Sequence, residues 1–145
     1  MHKLSDLLFV SSNIHKFTET EKILKSFGIS IQFFKLNLEE IQSNSIKEIA
    51  IKKAQNAFSK CKKPLIIEDD GLCIDSLDGF PGPYSSYVQK TIGNKGILNL
   101  LKKDRSAKFV SNITYCDKNT LESFEGKLVG TISKSEKGNG WGFDP

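Results

Sequence analysis

Cysteine is scarce in this chain of 145 residues. Cys61, Cys73 and Cys116 are its three, odd in number, far apart and in no metal-ligand spacing. They read as reduced core or surface thiols of a reducing compartment. Arginine is scarcer still: Arg105 stands alone, so the net charge of +4 is carried by lysines spread along the sequence. Dispersed lysines suit an anionic partner, but they more often form a solvated surface. With no clustered basic run, helix-turn-helix signature or zinc motif, no nucleic-acid partner is expected. No apolar stretch approaches a membrane span, and the N-terminus lacks the apolar segment of a secretory signal. A soluble, cytoplasmic protein without a membrane partner is therefore expected. Internal repeats and low-complexity tracts are missing too. Nothing resembles a Walker A loop, which argues against a P-loop nucleotide hydrolase.

What is present is an ordinary globular composition, 38% hydrophobic and 26% charged. The length suits one domain that buries roughly two-thirds of its unfolded surface. The apolar run 7–10 predicts a buried strand, closed by Ser11-Ser12-Asn13. Phe17, Leu24 and Phe27 recur at helical spacing over 14–27, with Gly28 placed to cap the end. Residues 29–36 read as a second strand. Ile46, Ile49, Ala50, Ala54, Ala57 and Phe58 form one stripe of an amphipathic helix over 45–60. Pro64 opens a third strand, 65–67, and 72–77 alternates in polarity. Gly79, Pro81, Gly82 and Pro83 make a stiff loop, followed by a helix over 92–102 and strands over 109–115 and 122–133. Helices and strands alternate first and strands dominate later, so the fold class is α/β or mixed α+β.

Three constellations carry chemistry. Ser11-Ser12-Asn13-Ile14-His15-Lys16 lies between a strand and a helix, where unpaired N–H groups and the helix dipole receive phosphates. Asn13 alone reads more simply as an N-cap. His15 and Lys16, however, put positive charge where it opposes the dipole, which makes sense if an anion comes to meet it. Glu68-Asp69-Asp70-Gly71 follows an apolar run and reads as a strand end, either a solvated acidic turn or a Mg²⁺ site. Alternation along an extended chain turns Glu68 and Asp70 one way and Asp69 the other. Gly138-Asn139-Gly140-Trp141-Gly142-Phe143-Asp144-Pro145 spaces the only tryptophan and a phenylalanine with glycines. That pattern fits either stacking on a planar base or two core aromatics in a glycine-rich turn. Glu39 and Glu40 are further candidate metal ligands, and Lys53, beside the apolar helix stripe, is either inward-turned or snorkelling.

In this order the motifs resemble those of the inosine triphosphate pyrophosphatase family, archaeal members most of all. The family's Thr/Ser-x-Asn-x-x-Lys stands here as Ser11 to Lys16. Its Glu/Asp-Asp-Ser-Gly-Leu stands as Glu68-Asp69-Asp70-Gly71-Leu72, and its Gly-x-Pro-Gly-x-Tyr-Ser loop as Gly79 to Ser85. Its late Gly-Phe-Gly-Tyr-Asp-Pro is Gly140 to Pro145. The resemblance covers the whole chain. It implies Mg²⁺-dependent hydrolysis of aberrant purine nucleoside triphosphates (ITP, dITP, XTP) to the monophosphate and pyrophosphate, by water attack on the α-phosphate. It further implies an elongated mixed sheet flanked by helices, with a nucleotide cleft between two lobes, and a homodimer.

By motif position, Asp69 is the catalytic residue and a metal ligand, and Glu40 is the second ligand. Asn13, Lys16 and Lys53 hold the triphosphate, with Ser11 and Asp70 as further substrate-binding positions. Trp141 stacks on the purine, while Phe143 and Asp144 complete the pocket wall and base contact. Such positioning and charge neutralisation are what attack at phosphorus requires, without a protein nucleophile.

The chain departs from the pattern in places. Asp70 occupies the family's serine position, where its charge either raises a neighbour's pKa or strengthens metal binding. Asn37 stands where the family has Asp, and Trp141 where it has Phe. Family members continue beyond Asp-Pro through a strand and helix bearing a Ser-His-Arg motif, so 1–145 reads as a single pyrophosphatase-like domain truncated before that segment. His2 and His15, the only histidines, cannot replace it. Two rival readings stand beside the first: a Maf-like pyrophosphatase of other base preference, and a catalytically silent nucleotide-binding fragment.

Overall fold

Apolar residues at consecutive positions of a strand need cover on both faces, and the first strands of this chain receive it. The computed structural model describes residues 7–145; His2 lies outside them. Strand β1 (Leu8–Ser11) lies parallel to β2 (Gln32–Lys35) and to β3 (Leu65–Ile74), with Leu8 opposite Gln32 and Leu65. With β4 (Ser106–Cys116) and β5 (Leu121–Thr131) they form a five-stranded sheet in the order β2-β1-β3-β4-β5. The chain folds as two compact units. The first takes in residues up to Ser43, Lys47–Asp69 and Asn112–Glu125; the second takes in Asn44–Ile46, Asp70–Ser111 and Gly126–Pro145. Among the described residues no helix is long and apolar enough to cross a membrane.

In the first unit, α1 (Ile14–Lys25) and α2 (Ile46–Cys61) cover opposite faces of the parallel strands. Leu7, Phe9, Ile31 and Ile66 cluster with Phe17 and Leu24 of α1. Leu8, Val10, Leu65 and Ile67 cluster with Ala50, Ala54 and Ala57 of α2, all three alanines fully buried. Small residues at that spacing bring the α2 backbone close to the sheet, as the stripe predicts. Each fully buried large side chain, Phe9 or Leu65 for instance, contributes about 1.5–3 kcal/mol by leaving water.

Helix α1 has both ends closed locally. The Asn13 Oδ1 accepts the His15 N–H at 2.9 Å, and the Asn13 N–H donates to Ser11 Oγ at 3.0 Å. At the other end Gly28, at φ +73°, donates to Lys25, and Ile29 donates to Leu24. This is the paired-carbonyl closure that a left-handed residue allows. The capping roles expected of Asn13 and Gly28 are therefore seen.

The largest departure from expectation is β3. Glu68-Asp69-Asp70-Gly71 lies in the middle of a ten-residue strand rather than at its end. Buried residues on both sides, Leu65 to Ile67 and Leu72 with Ile74, hold the segment extended. Burial on either side thus overrides the turn preference of Asp and Gly. The helix expected over 92–102 is seen as α4 (Gly93–Leu100), and a further short helix, α3 (Ser85–Thr91), precedes it where none was expected. Gly93, at φ +63°, separates them.

The second unit packs Leu72, Ile74, Val88, Ile97, Leu101 and Ala107 into one cluster. The stiff loop before α3 is tied to β3 within it. Ser85 Oγ accepts the Leu72 N–H at 2.8 Å and donates to the Gly82 carbonyl at 2.7 Å. Gly71 is required here by close approach, because a Cβ would strike the Gly82 carbonyl and the Ile46 side chain.

Two substitutions test this tie by urea unfolding. Gly71→Ala is expected to lower stability by about 1–3 kcal/mol through overpacking. Ser85→Ala is expected to cost about 1–3 kcal/mol by stranding the buried Leu72 N–H. Ser86→Ala, at the exposed neighbour, should change stability by no more than about 0.5 kcal/mol.

Candidate active site

The first unit holds a connected set of charges on β3 and the two helices. Lys53 lies on α2 between Ala50 and Ala54, whose burial draws the lysine stem in against the sheet. Its Nζ donates to Asp69 Oδ2 at 2.9 Å and to Glu40 Oε1 at 2.5 Å. Lys53 is thus inward-turned. The side chains of Lys53 and Asp69 are 15% and 13% exposed, whereas Glu40 is 52% exposed. Lys16, in the first turn of α1, pairs with Glu68 at 3.1 Å. Alternation along β3 therefore delivers Glu68 to the α1 lysine and Asp69 to the α2 lysine.

Burial dominates the acidity of Asp69 and holds its carboxyl above the ordinary carboxylate range, although Lys53 and Lys16 pull it down. Burial also pulls the Lys53 ammonium down, but Asp69 and Glu40 together outweigh it and leave its pKa above the usual lysine value. Lys16 reaches Asp69 electrostatically as well as pairing with Glu68, so the two ion pairs form one network. Asp69 does not stand alone in it: Glu68 belongs to the network through Lys16. Glu68 had a sequence signal in its place beside Asp69, but alternation alone set it aside.

The donor set suits a hard divalent cation. Oxygens of Glu40 and Asp69 converge on one point, the Lys53 Nζ. Mg²⁺ commonly takes one or two carboxylates and completes its shell with water and substrate phosphate. Among the described residues no group of three or more His, Cys, Asp or Glu side chains is placed to hold a metal. The two-carboxylate arrangement therefore fits a cation that relies on phosphate oxygens for the rest. The other first-unit candidates, Ser11 and Asn13, lie just before α1, engaged in its cap.

In the second unit the glycine-spaced tail is pinned by two amides. Gln89 Nε2 and Asn94 Nδ2 both donate to the Gly142 carbonyl, at 3.0 and 3.2 Å. Nothing in the sequence marks these two residues, because the contacts span 53 and 48 positions. Phe143 packs on the core cluster of this unit and tilts against Phe109, ring centres 6.5 Å apart. Trp141 is half-buried and Asp144 exposed, joined by a hydrogen bond from the Asp144 N–H to the Trp141 carbonyl at 3.2 Å. Gly140 is required by this turn, since a Cβ there would strike Asp144. A cavity of about 340 Å³ beside the tail is lined by Leu72, Asn94, Phe109, Ile132, Phe143 and Asp144. Asp70, half-buried, opens the β3 segment of the same unit.

Similarity to known proteins runs the length of these features. The dITP/XTP pyrophosphatase of Korarchaeum cryptofilum is 42% identical over 141 residues, covering 96% of this chain and 76% of that protein. The dITP/XTP pyrophosphatase of Methanopyrus kandleri is 42% identical over 143 residues, with the same coverage of each, 96% and 76%. Among solved structures, a HAM1 protein from Coxiella burnetii superposes with a TM-score of 0.81 at 26% identity, over 97% of this chain and 79% of that one. The Ham1 protein of Staphylococcus aureus gives 0.78 at 27% identity, with coverage of 97% and 79%. The sequence profile of the Ham1 family matches residues 7–145, from the first strand through the last motif. The chain belongs to the Ham1 family.

Proposed function

We propose that this protein is a nucleoside-triphosphate pyrophosphatase that hydrolyses aberrant purine nucleotides (ITP, dITP, XTP) to the monophosphate and pyrophosphate. The observation that carries the reading is the buried Lys53 ammonium held by Asp69 and Glu40, with the Lys16–Glu68 pair beside it. Supporting it, two similar proteins carry the name dITP/XTP pyrophosphatase.

In this reading Lys16 and Lys53 neutralise phosphate oxygens, and the Ser11–Asn13 turn presents the start of α1 to the triphosphate. Asp69 orients a water against the α-phosphorus and accepts its proton. The new bond joins the water oxygen to that phosphorus, and the bond to the bridging oxygen breaks, releasing pyrophosphate. Glu40 and Asp69 would hold Mg²⁺, whose chemistry is to polarise phosphate oxygens and to lower the cost of charge on the leaving group. Glu68 keeps Lys16 in place. Trp141 stacks on the purine, and Phe143, Asp144 and Asp70 are proposed as substrate contacts. A soluble cytoplasmic homodimer completes the proposal.

Pyrophosphate release tests it directly. With Mg²⁺, turnover of ITP, dITP and XTP is expected to exceed that of ATP and dTTP; equal rates would contradict purine-cleansing specificity. Asp69→Asn is expected to lose about 10²–10⁴-fold in kcat, and an unimpaired variant would contradict the mechanism.

The ion pair makes a separate stability prediction. Asp69 titrates above its unfolded value, so the stability tied to its protonated form is complete below pH ~3.9 and is lost as pH rises through the folded pKa. Lys53 titrates above its own unfolded value, so its contribution persists to pH ~10.4 and is lost only above that. In metal-free protein Lys53→Met is expected to destabilise by roughly 1–3 kcal/mol at pH 7, between the values for exposed and buried pairs. The penalty should shrink towards pH 4 as Asp69 takes up a proton, which urea unfolding at the two pH values would show.

A further inference from the structure

One buried donor of the first unit lacks an acceptor, and the mechanism above does not use it. Asn112 and Thr114 on β4 are both fully buried, in a strand whose other buried positions are apolar or small. Thr114 Oγ1 and Ser123 Oγ each donate to Asn112 Oδ1 at 2.8 Å, and the two hydroxyls meet at 3.1 Å. Asn112 Nδ2 is buried with no hydrogen-bond partner. An unmet buried donor costs free energy, which a contact made elsewhere in a reaction cycle can return.

The place of Asn112 in the sheet identifies that contact. Burial alternates without a break from Val110 to Cys116, and the neighbours of each face are different. Ile113 and Tyr115 pack on the cluster of Phe9 and Ile66, on the α1 face, whereas Cys116 belongs to the cluster of Leu65, Ile67 and Ala54, on the α2 face. Asn112 and Thr114 therefore share the α2 face, where Asp69 meets Lys53. Strand β4 adjoins β3 and runs antiparallel to it. Cys116, at its end, clusters with Leu65 and Ile67 at the start of β3, while Ala107, near its start, clusters with Leu72 and Ile74 at the end of β3. Four residues back from Cys116, Asn112 comes level with the acidic middle of β3. Asn112 and Asp69 both belong to the first unit, each at the end of its stretch. Same-face residues of adjacent strands have Cβ atoms about 4.5–5.5 Å apart when directly opposed and about 7–8 Å apart on the diagonal, within the joint reach of an amide and a carboxylate. The Asn112 amide is held through Oδ1 on its β5 side, so Nδ2 turns the other way, towards β3. Turning the amide over would aim Oδ1 at the Asp69 carboxylate, one acceptor against another.

We propose that Asn112 is a positioning residue for Asp69: its Nδ2 takes up a carboxylate oxygen of Asp69 when Lys53 turns to the triphosphate. In the structure Lys53 donates to Asp69 Oδ2 at 2.9 Å. The catalytic reading sends the same ammonium to phosphate oxygens, which draws it away from Asp69 when that carboxylate must aim a water. A second donor, already out of water and fixed by two hydroxyls, keeps the carboxylate aimed without reorganisation. The inference rests on that catalytic reading and adds a residue to it.

Steady-state pyrophosphate release from ITP with Mg²⁺ and urea unfolding test it together, on Asn112→Leu and on the smaller Asn112→Val. Both remove the unpaired amide along with the donor, so the urea midpoint is expected to stay at or above that of the unaltered chain. The kcat is expected to fall about 10–100-fold, as for a lost hydrogen bond to a charged group, with KM changed less than about twofold. In an Asp69→Asn background the same substitutions are expected to lower kcat less than about twofold, since the group they act through is gone. A purely structural role would lower kcat and the urea midpoint together, in both backgrounds. That result, or a kcat unchanged in both variants, would overturn the positioning role and leave the catalytic reading standing. An unaltered chain that releases no pyrophosphate would overturn the catalytic reading and this inference with it.

Discussion

A carboxylate on a central strand cannot stay charged away from water without a cation, and Asp69 has one in Lys53. At 13% exposure the Asp69 side chain has lost most of its hydration, and burial raises its pKa despite the neighbouring lysines. The ammonium must therefore be brought to it. That demand explains the alanines of α2: fully buried Ala50 and Ala54 flank Lys53 and leave no bulk to hold the helix off the sheet. It also explains why β3 passes through its acidic residues without turning, since only an extended strand sends Glu68 to Lys16 and Asp69 to Lys53. Packing, strand geometry and charge placement in the first unit are one arrangement.

Glu40 and Asp69 share the ammonium of Lys53. In the proposed mechanism the same oxygens would turn to a divalent cation when phosphate shares the lysine. Glu40 is the freer of the two, half-exposed at 52%, and suits a ligand that must reorient. Asp69, fixed by burial and by its place on a central strand, suits the residue that must aim a water. Under the proposed mechanism, this difference in burial is what assigns the two carboxylates different roles.

Much of this was legible in the residues themselves. The cap at Asn13, the closure at Gly28, the α2 stripe and the family motifs all depend on neighbours within a few positions, where spacing maps directly onto geometry. The inward turn of Lys53 was one of two open readings, and contact with Asp69 and Glu40 decides it. The continuity of β3 was not legible, because Asp-Asp-Gly is ordinary turn chemistry and only burial on both sides overrides it. Helix α3 was not read from the sequence, and Gly93, at positive φ, separates it from α4. Gln89 and Asn94 were invisible for a different reason: their partner is a backbone carbonyl about fifty residues away, and a carbonyl has no sequence identity.

The proposed mechanism has this charge network direct water to the α-phosphorus of a purine nucleoside triphosphate. Hydrolysis of ITP in ¹⁸O-enriched water, followed by mass spectrometry of both products, tests it most directly. Solvent oxygen is expected in the nucleoside monophosphate and none in the pyrophosphate. Label in the pyrophosphate, or release of orthophosphate in its place, would contradict it.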